Sequence, residues 1–268
     1  MERHPVEAGV PKDSPVSPSR FVIYTTGLII WVEEYIPSEG LSFVEHLGWV
    51  VTGSDVNLVG TTLERHAAKS IAWASRRGLQ FDTPEMQAAL CTCRQGHMKH
   101  LRPKLTVKIM VGNGFIQFNK QATCWLGVCM DAYLTYKVHH NRCMKKSRAA
   151  EARLRTVTKK SGAVPEIVSA VQIACAQAVV LYRSKLWWDP KEVGRRDHLQ
   201  ILLNRQAMSV PGALPITPRG ALMRESELTP APVILDSRHQ QFAARLANAC
   251  SSKLKEVDED PSSGTPIC

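Results

Sequence analysis

The chain has 268 residues, a formal net charge of +10 at pH 7 and 44% hydrophobic residues. That length accommodates one large domain or two smaller ones, each with a real core. The composition excludes a disordered polyelectrolyte. It also argues against a membrane protein, because the longest uncharged run, residues 167–182, is shorter than the roughly 20 apolar residues that span a bilayer. We therefore expect a globular protein with no membrane partner.

The N-terminus and the cysteines bear on the compartment. Residues 1–20 mix charged side chains with prolines and contain no apolar core of the kind a signal peptide has. Eight cysteines are spread along the chain, which favours reduced thiols over a disulfide scaffold. We expect an intracellular protein of the nucleus or cytoplasm.

The positive charge is concentrated in the middle of the chain. Residues 91–160 hold 15 basic and 2 acidic side chains, whereas residues 1–90 are net acidic and residues 161–268 nearly neutral. A field of this density attracts polyanions and gains free energy by releasing their counterions. The expected partner is RNA, DNA or an RNA–DNA hybrid, with a solvated basic surface as the alternative.

Periodicity predicts strands early and helices late. Residues 54–78 have the apolar spacing of a helix, residues 104–118 that of a β-hairpin around Gly112-Asn113-Gly114, and residues 125–128 that of a short strand. A strongly basic helix is predicted over residues 136–160, followed by a helix to residue 182 that is apolar almost all round and so expected at the centre of a bundle. Further helices are predicted over residues 190–208, 218–225 and 230–249, with a disordered tail from Ser251. The predicted fold class is α+β.

Two motifs near the N-terminus follow each other in a distinctive order. The first is a Pro/Ser-rich loop containing Gly9, Pro11, Ser14, Pro15 and Ser17. After an apolar stretch comes the strand-like tetrad Phe43-Val44-Glu45-His46. Further along stand Trp125-Leu126-Gly127-Val128, Leu186-Trp187-Trp188 and residues 224–230.

In this order the motifs resemble the reverse transcriptases of fungal LINE-type, non-LTR retrotransposons. The resemblance implies that the loop contacts template and nucleotide, that the tetrad occupies the Asp-Asp box, and that Trp125, Leu126 and Gly127 form the primer grip. It divides the chain into a Pro-rich loop (1–20), a partial palm of β-hairpins and a packed helix (21–135), a helical thumb (136–250) and a tail (251–268). The basic helix would open the thumb and bind nucleic acid through six side chains, Arg142, Lys145, Lys146, Arg148, Arg153 and Arg155.

The resemblance also predicts how the chemistry is altered. Polymerases of this kind use Mg²⁺, which needs several oxygen ligands at one point. At the catalytic box this chain has Glu45, the one candidate metal ligand there, beside His46, whose nitrogen suits softer metals. We expect a truncated, inactive RNA-directed DNA polymerase fragment, with Mg²⁺ required for any remaining activity.

Several alternatives remain open at this stage. The chain could be a non-catalytic module that binds nucleic acid or protein, or a decayed relic without a selected function. Cys91, Cys93, His97 and His100 could hold zinc, although their spacing is not a standard one. The pair His139-His140 is expected to cap the basic helix or face solvent.

Overall fold

The computed structural model describes residues 14–33, 38–92, 108–112, 114–118, 122–214 and 216–259. The fold is α+β, with small antiparallel hairpins and a majority of helix. The chain divides between Leu134 and Thr135 into two compact units. We call residues 1–134 the mixed unit and residues 135–268 the helical unit.

The mixed unit contains two helices and three hairpins in its described part. Its elements are α1 (Ser17–Glu33), β1 (Glu39–Phe43), β2 (His46–Val50), α2 (Val56–Arg76), a 3₁₀ turn (Thr83–Glu85), β3 (Lys108–Val111), β4 (Gly114–Gln117), β5 (Ala122–Trp125) and β6 (Val128–Asp131). Each hairpin forms its own two-stranded antiparallel sheet, β1 with β2, β3 with β4 and β5 with β6.

Helix α2 joins two small cores in the mixed unit. Its N-terminus is capped by Asp55, whose Oδ1 accepts a hydrogen bond from the Asn57 N–H at 2.9 Å. On one side Trp73 packs with Leu28 of α1, and on the other Val56 packs with Ile109 of β3. The amphipathic spacing predicted over residues 54–78 is therefore confirmed.

Helix α1 begins inside the segment predicted to be a loop. The first turn starts at Ser17 and includes Pro18. Proline is compatible with this position, because the backbone N–H groups of a first turn have no helical acceptor and the missing N–H of proline costs nothing there. The Pro-rich loop predicted over residues 1–20 therefore ends four residues early in the described part of the chain.

The described part of the helical unit is all α. Its elements are α3 (Lys137–Ser161), α4 (Pro165–Val171), a π-helical segment (Gln172–Gln177), α5 (Ala178–Val180), α6 (Ser184–Trp187), α7 (Val193–Ser209), α8 (Arg219–Glu225) and α9 (Ala231–Glu259). Helix α3 ends at Ser161 and is capped by Gly162, whose φ of 61° lies in the left-handed region that favours glycine. The main core contains Met144, Val180, Leu181, Trp187, Trp188, Leu199, Leu202, Leu203, Ala231 and Leu235.

One prediction for the helical unit is wrong. The segment from residue 165 is not buried on all sides, since Ile167 and Ile173 are 56% and 44% exposed. Its buried face packs against neighbours on one side, where Ser169 Oγ donates to the Ser226 carbonyl. Helix α9 runs to Glu259, past residue 251, where the predicted tail starts, and residues 260–268 lie outside the described part of the chain.

Candidate nucleic-acid interface

Glu45 and His46 lie at the tip of the first hairpin. Phe43 and His46 are paired across β1 and β2, so Val44 and Glu45 form the two-residue turn rather than the strand that the sequence predicts. The Glu45 Oε1 and His46 Nε2 atoms are 3.9 Å apart, and both side chains are more than half exposed. The two side chains therefore sit on an open turn.

The geometry at this turn does not fit Mg²⁺. The ion requires about six oxygen ligands in near-octahedral order, whereas this turn offers one carboxylate and one imidazole. Across the described residues, no group of three or more His, Cys, Asp or Glu side chains is placed to hold a metal. We derive no metal-dependent step at Glu45.

The loop residues form the entry to α1 where they are described. Ser14 accepts a hydrogen bond through its Oγ from the Val16 N–H at 3.4 Å, and its carbonyl accepts one from the Ser17 N–H at 3.1 Å. Pro15 is exposed between them. Gly9 and Pro11 lie outside the described residues. The described loop residues thus start a helix.

The segment Trp125-Leu126-Gly127-Val128 is a hairpin and not a single strand. Leu126 and Gly127 have φ of 48° and 77°, and positive φ at both central residues is the signature of a tight hairpin turn. Trp125 ends β5, and its ring lies against β2, since a Cβ built on Gly48 would be 3.8 Å from the Trp125 Cζ2 atom. The structure thus brings the proposed primer-grip tryptophan beside the hairpin that carries Glu45.

A cross-strand cystine corrects the expectation of reduced thiols for this hairpin. Cys124 and Cys129 face each other in the register of β5 and β6 and form a disulfide. Cys143 and Cys175 are free thiols. Of the four residues weighed for zinc, only Cys91 lies in the described part of the chain.

The exposed face of α3 carries the basic side chains that the sequence singled out. Arg142, Lys145, Lys146, Arg148 and Arg153 are all exposed. Because each residue advances about 100° around an α-helix, these five positions occupy one broad side of it. We call them the α3 basic face.

Arg155 differs from the other five. Its Nη2 atom lies 2.6 Å from Oε1 of Glu151, one helical turn earlier, and donates to the Arg205 carbonyl at 3.2 Å on α7. Glu151 itself is buried. Because a buried carboxylate needs a partner, Arg155 stabilises the fold by pairing with Glu151, and we exclude it from the α3 basic face.

The opposite side of α3 is buried and fixes the helix in the bundle. Ser147 Oγ donates to the Ala176 carbonyl at 2.7 Å. His139 and His140 are 0% and 2% exposed, so the prediction that this pair caps the helix or faces solvent is wrong. The error arises because the pair falls on the side that meets Tyr182 and Trp187, with ring centroids 6.2 Å and 4.7 Å away.

Burial sets the protonation of this inner face. It lowers the pKa of His139, and it lowers that of His140 to about 4, with the nearby Arg195 charge acting in the same direction. Burial raises the pKa of the Cys143 thiol. These three side chains of the inner face are therefore uncharged at neutral pH, whereas the five cations of the α3 basic face lie on the outer side.

This arrangement can bind a polyanion without chemistry. Contacts from exposed lysine and arginine side chains to phosphates position a nucleic acid and read no sequence. No helix in the described residues is both long and apolar enough to cross a bilayer.

The sequence analysis did not identify a second group of cations. Arg183, Lys185, Arg238 and Arg245 line a common groove although about 50 residues separate the first pair from the second. The spacing of Arg238 and Arg245, seven residues apart on a predicted helix, was the only available signal.

In comparisons with known proteins, no family model, curated protein or solved structure matches the chain.

Proposed function

We propose that this chain binds nucleic acid through the α3 basic face and does not extend a primer. In this proposal it is a degenerate relative of non-LTR reverse transcriptases, in which the mixed unit corresponds to a palm remnant and the helical unit to a thumb. RNA–DNA hybrid, RNA and DNA duplexes are the candidate ligands. The observation that carries the proposal is the segregation of α3 into two sides, a buried one where Glu151 is paired with Arg155 and the histidines are neutral, and an exposed one with five basic side chains.

The order of elements supports the relationship. Helix α1 is followed by the β1–β2 hairpin and then by α2, which is the order that the resemblance implies around the catalytic box. Glu45 and His46 lie at the hairpin turn, and the Trp125 hairpin packs beside β2. An inactive polymerase is favoured because this turn offers a single carboxylate.

Binding is tested with a labelled RNA–DNA primer-template at low salt. The test variant replaces Lys145, Lys146, Arg148 and Arg153 with Gln. It spares Arg155, because loss of its charge would leave Glu151 buried without its partner. A matched control loses four exposed cations elsewhere in the helical unit, namely Lys191, Arg205, Arg219 and Arg224.

The α3 variant is expected to bind at least about tenfold more weakly than the control, since each lost phosphate contact removes released counterions. Circular dichroism checks that both variants keep their helices. Equal affinities in two folded variants would contradict the proposal and leave an interaction with protein, or no retained function.

A further inference from the structure

A groove of about 540 Å³ lies between α9 and the chain around α6. Among the described residues that line it, Arg183, Lys185, Arg238 and Arg245 are basic and none is an aspartate or glutamate. In the ranges that the structure describes, none of these four side chains forms an ion pair with a carboxylate. The groove is thus a concentration of positive charge without internal neutralisation.

One wall of the groove follows directly from helical periodicity. Ile234, Arg238, Gln241, Phe242 and Arg245 stand three, four or seven residues apart on α9, so they share one face of the helix. Arg238 and Arg245 are separated by seven residues, or about 10 Å along the axis. The cations are therefore spread along the groove and are not gathered at a single point.

The other wall is the bend between α5 and α6. Arg183 has a φ of 51°, a left-handed conformation that turns the chain there. Arg238 Nη1 donates to the Leu181 carbonyl at 3.2 Å, which ties this bend to α9. Ser184 is buried at the same bend. These contacts hold the two walls of the groove together.

Apolar surface lies among the cations. The Lys185 Nζ atom is 4.1 Å from the centre of the Phe242 ring, which is half-buried. Val233, which also lines the groove, is 57% exposed. An aromatic ring under a cation can exchange that contact for a stacked aromatic base, because both interactions use the face of the ring. The groove combines charge for phosphates with an apolar surface for bases.

We propose that this groove binds a single-stranded segment of nucleic acid, with phosphates on Arg183, Lys185, Arg238 and Arg245 and a base against Phe242. Single-strand binding proteins combine these two features, a basic groove for the backbone and aromatic side chains for stacking. A duplex presents phosphates but keeps its bases paired, so it would leave the apolar part of the groove without a counterpart. A single-stranded ligand matches both parts.

The groove is separate from the α3 basic face. It shares no lining residue with the α3 basic face, and its binding of single strands does not depend on duplex binding by α3. The two proposals can therefore fail separately.

The test measures fluorescence anisotropy of the full chain with a labelled 12-nucleotide oligothymidine and, in parallel, with a duplex of the same length. The double variant Lys185→Gln/Arg245→Gln removes two groove cations and spares Arg238, which makes the structural hydrogen bond. The matched control Arg205→Gln/Arg219→Gln removes two exposed cations outside the groove. Phe242→Leu keeps apolar volume but removes the ring.

The groove variant is expected to lose at least about fivefold in affinity for the single strand, and its salt slope should weaken by about 1.4, or 0.7 for each lost phosphate contact. Phe242→Leu should bind the single strand about tenfold more weakly and bind the duplex as before. The control variant should stay within about twofold of the unmodified chain on both probes.

Three results would overturn the groove proposal. The first is an equal loss in the groove and control variants. The second is displacement of the oligonucleotide by polyglutamate at the same charge concentration, which would identify an acidic polypeptide as the ligand. The third is loss of single-strand binding only in the α3 variant, which would leave the proposed function standing and refute the groove. If instead the groove variants lose single-strand affinity as expected and the α3 variant leaves duplex affinity unchanged, the groove proposal stands and the proposed function is refuted.

Discussion

Lowering the pH from 7 to 5 should destabilise the helical unit, because His140 is buried in its neutral form. Its ring lies 4.7 Å from that of Trp187, and burial together with the Arg195 charge lowers its pKa to about 4. In the unfolded chain the same histidine has its ordinary pKa of about 6.5. Between these two values the unfolded state binds a proton that the folded state does not.

The sign and size of the effect follow from this difference. Above pH 6.5 both states are neutral at His140 and the full stability is present. As the pH falls from 6.5 towards 4, protonation favours the unfolded state, so stability is lost. The loss is about 2 kcal/mol at pH 5 and approaches about 3 kcal/mol below pH 4, at 1.36 kcal/mol per pKa unit. His139 shifts in the same direction.

Urea unfolding at pH 7 and pH 5, followed by circular dichroism, measures this loss in the unmodified chain, in His140→Gln and in His239→Gln. His239 is an exposed histidine on α9 and serves as the control. The His140 variant should lose about 2 kcal/mol less between the two pH values than the other two proteins. An NMR titration of the unmodified chain gives the same information if the variant does not fold. An equal loss in all three proteins, or a His140 pKa near 6.5, would refute the reasoning.

Three further predictions concern the main core of the helical unit, the N-cap of α2 and the chemistry. Leu203→Ala, at a fully buried position, should destabilise the chain by about 2–5 kcal/mol in urea unfolding, whereas Ile201→Ala on the exposed side should change it by less than about 0.5 kcal/mol. Asp55→Ala should cost about 1 kcal/mol through loss of the α2 cap, and Asp55→Asn should restore most of it. A primed template with Mg²⁺ or Mn²⁺ should show no nucleotide incorporation, and any extension would contradict the inactive assignment of Glu45.

Local patterns were sufficient to predict several elements. The apolar spacing before Gly78 predicts α2, and the alternating pattern on both sides of residues 112–114 predicts the β3–β4 hairpin. Gly162 marks the end of α3 because only a residue that tolerates positive φ suits that position. In each case the signal lies within a few residues of the feature that it predicts.

Features that depend on distant partners were missed. His139 and His140 look like polar residues at a helix start, and only the packing of Trp187 against that side shows that they are buried. The turn at Leu126 was missed because leucine rarely adopts positive φ. The groove joins Lys185 to Phe242, and the sequence alone does not bring those residues together.

The exposed cations of the candidate site were easier to predict than its geometry. A run of lysine and arginine with the spacing of a helix identified α3 before its surroundings were known. The distinction between Arg153, which is exposed, and Arg155, which is paired with the buried Glu151, required the structure. That distinction decides which variants test binding and which disturb folding.

The central claim is that the α3 basic face binds nucleic acid, and the salt dependence of duplex affinity tests it most directly. If about five phosphates are contacted, the logarithm of the binding constant should fall with the logarithm of salt at a slope of about −4 to −5. Replacing Lys145, Lys146, Arg148 and Arg153 with Gln should weaken the slope by about one unit for each cation that contacts a phosphate. An unchanged slope in that folded variant would contradict the claim.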